Sequence, residues 1–147
     1  MKLHPQLVQH LKFATKTITF TGAANLGQAG TNATIFTVTG QVLVVAISTF
    51  CTTNLAEAAP TSTVALGVVN ATGLFVNATS ATTINVGEFW HGTTPVANGE
   101  ALPAAVKDIA ITQDIVIASA AQNTTAGVLE IYCYWMPLSA GSILLAA

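Results

Sequence analysis

In 147 residues the chain carries four lysines, no arginine and six acidic residues, so charged groups are 7% of the sequence and the formal net charge is −2. Mean hydropathy is +0.62, yet no apolar run approaches the ~18 residues of a membrane-spanning helix. The composition excludes a disordered polar chain and a glycine-periodic fibre, and leaves one ordinary domain whose charge-poor surface calls for cover by other protein.

The first sixteen residues hold Lys2, Lys12 and Lys16 and no acid, whereas the rest sets Lys107 against six carboxylates. A basic arm on an acidic body suits docking onto a neighbouring subunit or an acidic partner surface. Three lysines without arginine or interleaved aromatics are a poor footprint for nucleic acid, which is not an expected partner, and neither is a membrane. The start MKLHPQLVQHLKF lacks the apolar core and cleavage site of a secretory signal, so export by that route is not expected. The sequons at Asn32, Asn70, Asn77 and Asn123 then reflect turn asparagines followed by strand threonines.

Leu3, Leu7, Leu11 and Ala14 recur at helical spacing with His10 on the same face and Pro5 near the start, which predicts a short amphipathic helix over 3–14. From Lys16 the period becomes two. Ile18 and Phe20 alternate with Thr17, Thr19 and Thr21 in a first strand, and 22–30 is a glycine-rich loop. A second strand covers 31–39 and a third 41–51, whose run from Val42 to Ile47 is apolar on both faces and predicts cover on both sides. A loop at 52–60 precedes a hairpin of 61–69 and 73–78, then a short strand at 84–90. The irregular stretch 91–107, with Pro95, Asn98, Gly99 and Pro103, reads as a surface loop. One strand over 108–120, with a bulge at Gln113 and Asp114, and another over 128–136 complete the set, the last placing Leu129, Ile131, Cys133 and Trp135 opposite Glu130, Tyr132 and Tyr134.

About eight strands at ten-residue intervals predict an all-β antiparallel sandwich, a jelly roll ahead of an immunoglobulin-like one. The expected organisation is an arm over 1–15, a sandwich over 16–137 and an apolar tail over 138–147. The tail, LSAGSILLAA, is too short for a bilayer and is expected to tuck into an interface. Cys51 and Cys133 match no zinc or redox spacing and read as buried free thiols.

Signals for chemistry are weak. Glu88 and His91 would point to opposite faces of a strand, with no nearby histidine or cysteine to complete a metal or proton-transfer site. Serines lack a GxSxG elbow, GQAG at 27–30 lacks the lysine of a phosphate loop, and the acids are scattered. No catalytic, cofactor or metal-binding residue is expected. Trp90, Trp135, Tyr132 and Tyr134 would suit a sugar-stacking platform or packing. The many threonines fit pleated strands and keep a face polar without charge, so that such faces meet without desolvating ions.

The blocks GQVLVVAISTF, TVALGVVNATGLFV, TTINVGEFW and AGVLEIYCYW, within 31–136, resemble tailed-bacteriophage structural proteins, in particular small capsid decoration or cement proteins. The resemblance implies a homo-oligomer, a trimer, assembled in the host cytoplasm and seated on the outside of the virion, where it clamps neighbouring major capsid proteins. Candidate contact residues are Lys2, Leu3, Leu7, Leu11, Lys12, Phe89, Trp90, Ile143, Leu144 and Leu145. The alternative expectation is a receptor- or glycan-binding module of a head or tail fibre, with the loop 90–107 at its tip.

Overall fold

A computed structural model describes residues 10–147. Among these described residues eleven strands form two antiparallel sheets. In chain order they are β1 (Lys12–Thr19), β2 (Thr31–Thr39), β3 (Val42–Glu57), β4 (Thr63–Val68), β5 (Ala71–Ser80), β6 (Glu88–Phe89), β7 (Val96–Ala97), β8 (Lys107–Ile111), β9 (Ile115–Ala120), β10 (Thr124–Pro137) and β11 (Ile143–Ala146). The first sheet runs β1-β10-β3, with β8 and the small β6-β7 ribbon both pairing with β3; the second runs β11-β2-β9-β4-β5.

Set aside the short β6, β7 and β11, and the remaining eight strands pair first with last: β1 with β10, β2 with β9, β3 with β8 and β4 with β5. One long antiparallel ribbon folded over on itself generates that nesting, and it is the jelly roll anticipated from strand spacing.

The core lies between the sheets. Leu129, Ile131, Cys133 and Trp135 of β10 turn inward with Ile47 and Cys51 of β3, and face Phe36, Leu66, Ile115 and Ile117 of the second sheet. The alternation read from 128–136 is the one observed. In β3 the apolar run has a different explanation from cover on both faces. Tyr134 pairs with Ala46 but Trp135 pairs with Val44, so Val45 is an extra residue in β3. This bulge inverts the inward parity, from Val42 and Val44 before it to Ile47, Thr49 and Cys51 after it, while Leu43 and Ala46 stay half-buried.

Four expectations change. The helix over 3–14 is not supported in its described part: Lys12–Ala14 open β1, whose ladder to β10 is unbroken from Lys12↔Trp135 to Thr19↔Val128. Residues 1–9 lie outside the described part. Tertiary pairing, with branched Thr15, Thr17 and Ile18 favouring the pleat, overrides the short helical spacing. The strand predicted over 108–120 is two, β8 and β9, in different sheets, with Asp114 accepting a hydrogen bond from Val38 N–H at 2.8 Å where the chain crosses. The loop at 52–60 is largely the end of β3. Finally, 143–146 form β11 on the edge of β2, burying Leu144 in this chain's own core.

Two glycines are sterically required. A Cβ on Gly27, where φ is +108°, would strike the backbone oxygen of Thr124; one on Gly67, inside β4, would strike that of Ala71. Gly67→Ala forces the β4-β5 hairpin apart and is expected to lower unfolding free energy by about 1–3 kcal/mol, read as a lower urea midpoint with an unchanged slope.

Candidate interaction surface

The outer face of the first sheet presents its residues in three cross-strand rows. Phe13, Tyr134, Ala46 and Lys107 form one; Thr15, Tyr132 and Ser48 the next; Thr17, Glu130, Phe50 and Phe89 the third. Register partners share a face, so the pairing itself assembles this surface from five separate segments of sequence. Its ionic members are Lys107 and Glu130; the rest are aromatic, hydroxyl-bearing or small.

Aromatic rings concentrate at both ends of the rows. Phe13, 52% exposed, and Tyr134, 46% exposed, sit with centroids 5.0 Å apart. Tyr132 lies 6.2 Å from Phe13 with nearly parallel planes. Phe50 and Phe89 are 5.1 Å apart, and Phe89 stacks on the imidazole of His91 at 5.5 Å. The Tyr132 hydroxyl donates to the Glu130 carboxylate, and this bond, ahead of burial and the neighbouring charge, raises the phenol above its ordinary range.

At the far end of the middle row a polar chain crosses the surface. Ser48 Oγ is 2.9 Å from His91 Nε2, and His91 Nδ1 is 2.9 Å from Glu100 Oε2. The Trp90 N–H holds the histidine against β3 by donating to Thr49 O at 3.0 Å, and its indole Nε1 donates to Thr79 Oγ1 at 3.0 Å. The loop 91–103 is therefore fastened to β3 rather than free at a tip.

The anticipated contact residues separate. Phe89 is half-buried on the face just described. Trp90 and Leu144 are in the core and offer no side chain to a partner. Ile143 and Leu145 are exposed on β11. Leu11 is half-buried ahead of β1, while the exposed Lys12 places its ammonium 5.1 Å from the ring of the buried Trp135. Lys2, Leu3 and Leu7 lie outside the described residues. Of the four aromatics considered for a platform, only Tyr132 and Tyr134 reach the outer face. Phe13, hidden in what reads as a helix, was missed, and the alternation of Phe13, Thr15, Thr17 and Thr19 was its available signal. Among the described residues no group of three or more histidines, cysteines or carboxylates is placed to hold a metal.

Neither a protein-family model nor a curated protein matches this chain. Among solved structures the fold is similar to that of a chain in the cyanophage Pam1 capsid asymmetric unit, with a TM-score of 0.51 and 18% identity over 86% of this chain and 85% of that one. At that identity the likeness is one of fold, and it spans nearly the whole of both chains.

Both cysteines are buried free thiols, as expected from sequence. Burial pushes Cys51 up, and pushes Cys133 up to about 12 from a reference of 9.0. Between those two values the unfolded chain holds fewer protons than the folded one, so stability falls as pH rises through that window. Cys133→Val is expected to lose less stability than the native chain between pH 9 and 11 in chemical denaturation, and native Cys133 to resist iodoacetamide until the chain unfolds.

Proposed function

We propose that this chain is a structural protein of a phage virion: a homo-oligomer, most simply a trimer, that decorates the outside of a capsid and binds across joints between major capsid proteins. The observation that carries the reading is the outer face of the first sheet, a broad, nearly uncharged surface of aromatic and hydroxyl side chains on a fold shared with a phage capsid chain. Contact through such a face buries aromatic area without stripping water from ions. Repetition by symmetry multiplies modest contacts into firm attachment, which is the way a cement protein stiffens a shell.

The exposed Phe13 and Tyr134, at the β1 end of the rows, are assigned to contact between copies. The basic arm, with Lys2, Lys12 and Lys16 in the first sixteen residues, is assigned to the capsid, whose surface would supply the opposite charge. The fibre reading draws on the same rings, since Phe13, Tyr132 and Tyr134 beside hydroxyls suit stacking on sugars. Binding of the isolated protein to a glycan array, with no affinity for undecorated heads, would favour that reading over cement.

Mass photometry at nanomolar concentration is expected to show trimers; a stable monomer would remove the main support for the proposal. Phe13→Ser with Tyr134→Ser is expected to weaken association at least tenfold with the fold retained, since central aromatic contacts are worth about 2 kcal/mol or more each. Removing residues 1–9 is expected to lower affinity for undecorated heads while leaving the thermal transition in place. Undiminished head binding by that truncation would show that the arm is not the anchor.

A further inference from the structure

Ser48 stands 43 residues before His91, with Glu100 nine residues further on, and the fold threads them into one hydrogen-bonded line. In the neutral imidazole a carboxylate, which only accepts, takes the hydrogen bond from Nδ1–H and leaves Nε2 to accept the O–H of Ser48. The imidazole, 2% exposed, stacks on Phe89 and is tied to β3 through Trp90, which holds it beside the serine. Ser48 itself is only part-buried and opens onto the outer face. A serine, a histidine accepting from it and an acid orienting that histidine are the elements of nucleophilic acyl transfer, recognised by geometry and role rather than by sequence position.

We propose that Ser48 is a nucleophile that takes acyl groups from short-chain carboxylic esters, with His91 as general base and acid and Glu100 as a positioning residue. Ser48 Oγ bonds to the ester carbonyl carbon while its proton passes to His91 Nε2. The imidazolium so formed is stabilised by Glu100. Collapse breaks the carbon–oxygen bond to the alcohol, which leaves with the proton from Nε2. Water then gives a proton to Nε2 as its oxygen bonds to the acyl carbon; the carboxylic acid departs and Ser48 Oγ recovers the proton. The balance is ester plus water to acid plus alcohol. Lys107, the cross-strand neighbour of Ala46, projects from the same face one diagonal step from Ser48 and supplies positive charge for the developing oxyanion. Phe50 and Tyr132 flank the serine on its own strand and on β10, which suits a small acyl group on a larger alcohol lying across an open surface. The proposal is independent of the virion reading, since it needs only the single chain.

The test is covalent. The folded protein is treated with a fluorophosphonate, in which the serine oxygen displaces fluoride from phosphorus, and the adduct is located by peptide mass spectrometry. The expected result is a single adduct on Ser48 and slow hydrolysis of p-nitrophenyl acetate, both lost in Ser48→Ala. Glu100→Gln is expected to slow labelling at least tenfold and to displace the acid limb of its pH profile, with an unchanged circular dichroism spectrum. His91→Gln is expected to abolish labelling. Absence of an adduct on Ser48 in the native chain overturns the proposal whatever the variants do. Equal labelling rates in native, His91→Gln and Glu100→Gln proteins overturn it as well, because the histidine and acid would then only fasten the loop.

Discussion

The ladder between β10 and β3 is the constraint from which the rest of this molecule follows. It runs from Thr124↔Glu57 to Pro137↔Val42 through the middle of the first sheet, and it closes the nesting of the jelly roll on the side opposite the β4-β9 pairing. Its alternate residues do two different jobs, divided by parity. Leu129, Ile131, Cys133 and Trp135 fill the core, while Glu130, Tyr132 and Tyr134 create the outer surface. A one-residue slip would exchange those sets, placing a carboxylate and two phenols in the core, so the register is strongly specified by burial. Of the four register shifts along this ladder, the bulge at Val45 is the one next to the start of β3. It lets β3 keep a valine-rich start and still aim Ser48 and Phe50 outward beside β10.

Parity explains how much of the fold was legible. Strands whose alternation is complete within themselves, such as 128–136 and 31–39, were located to within a few residues, and their turns carried glycine or asparagine. What escaped depended on partners distant in sequence. Nothing local in 108–120 announces that the chain changes sheets between Ile111 and Ile115. Nor does anything in residues 11–15 reveal that Phe13 will pack against Tyr134, which lies more than a hundred positions away. The leucine spacing of the first residues was a real helical pattern, but the described part of that segment has β10 to pair with, and ladder formation with aromatic packing outweighs a short run of propensity.

The site was less legible than the fold for the same reason. Glu88 and His91 are close in sequence, but a strand turns them to opposite faces. In the structure Glu88 instead accepts from the backbone of Asn85 at 2.8 Å, and His91 finds a serine on β3 and Glu100, nine residues on in its own loop. A triad on a sheet face has no sequence signature of its own, because its members are brought together by register across strands and by a loop folding back, neither of which leaves a fixed spacing.

The two proposed uses of the outer face compete for one surface, and the ladder decides whether they are compatible. Phe13 and Tyr134 belong to the β1 end of the rows, while Ser48 and His91 stand on and beyond β3, two strands away or about 10 Å at ordinary strand spacing. A neighbouring copy that packs against the exposed β1 edge covers the first pair of aromatics and leaves the serine open. A partner laid flat across all three rows would cover both, and the aromatic and hydroxyl groups around Ser48 would then be contact rather than chemistry. Shielding of Ser48 on assembly separates these geometries, because a face used only at its β1 margin keeps the serine as reachable in the oligomer as in the separated chain.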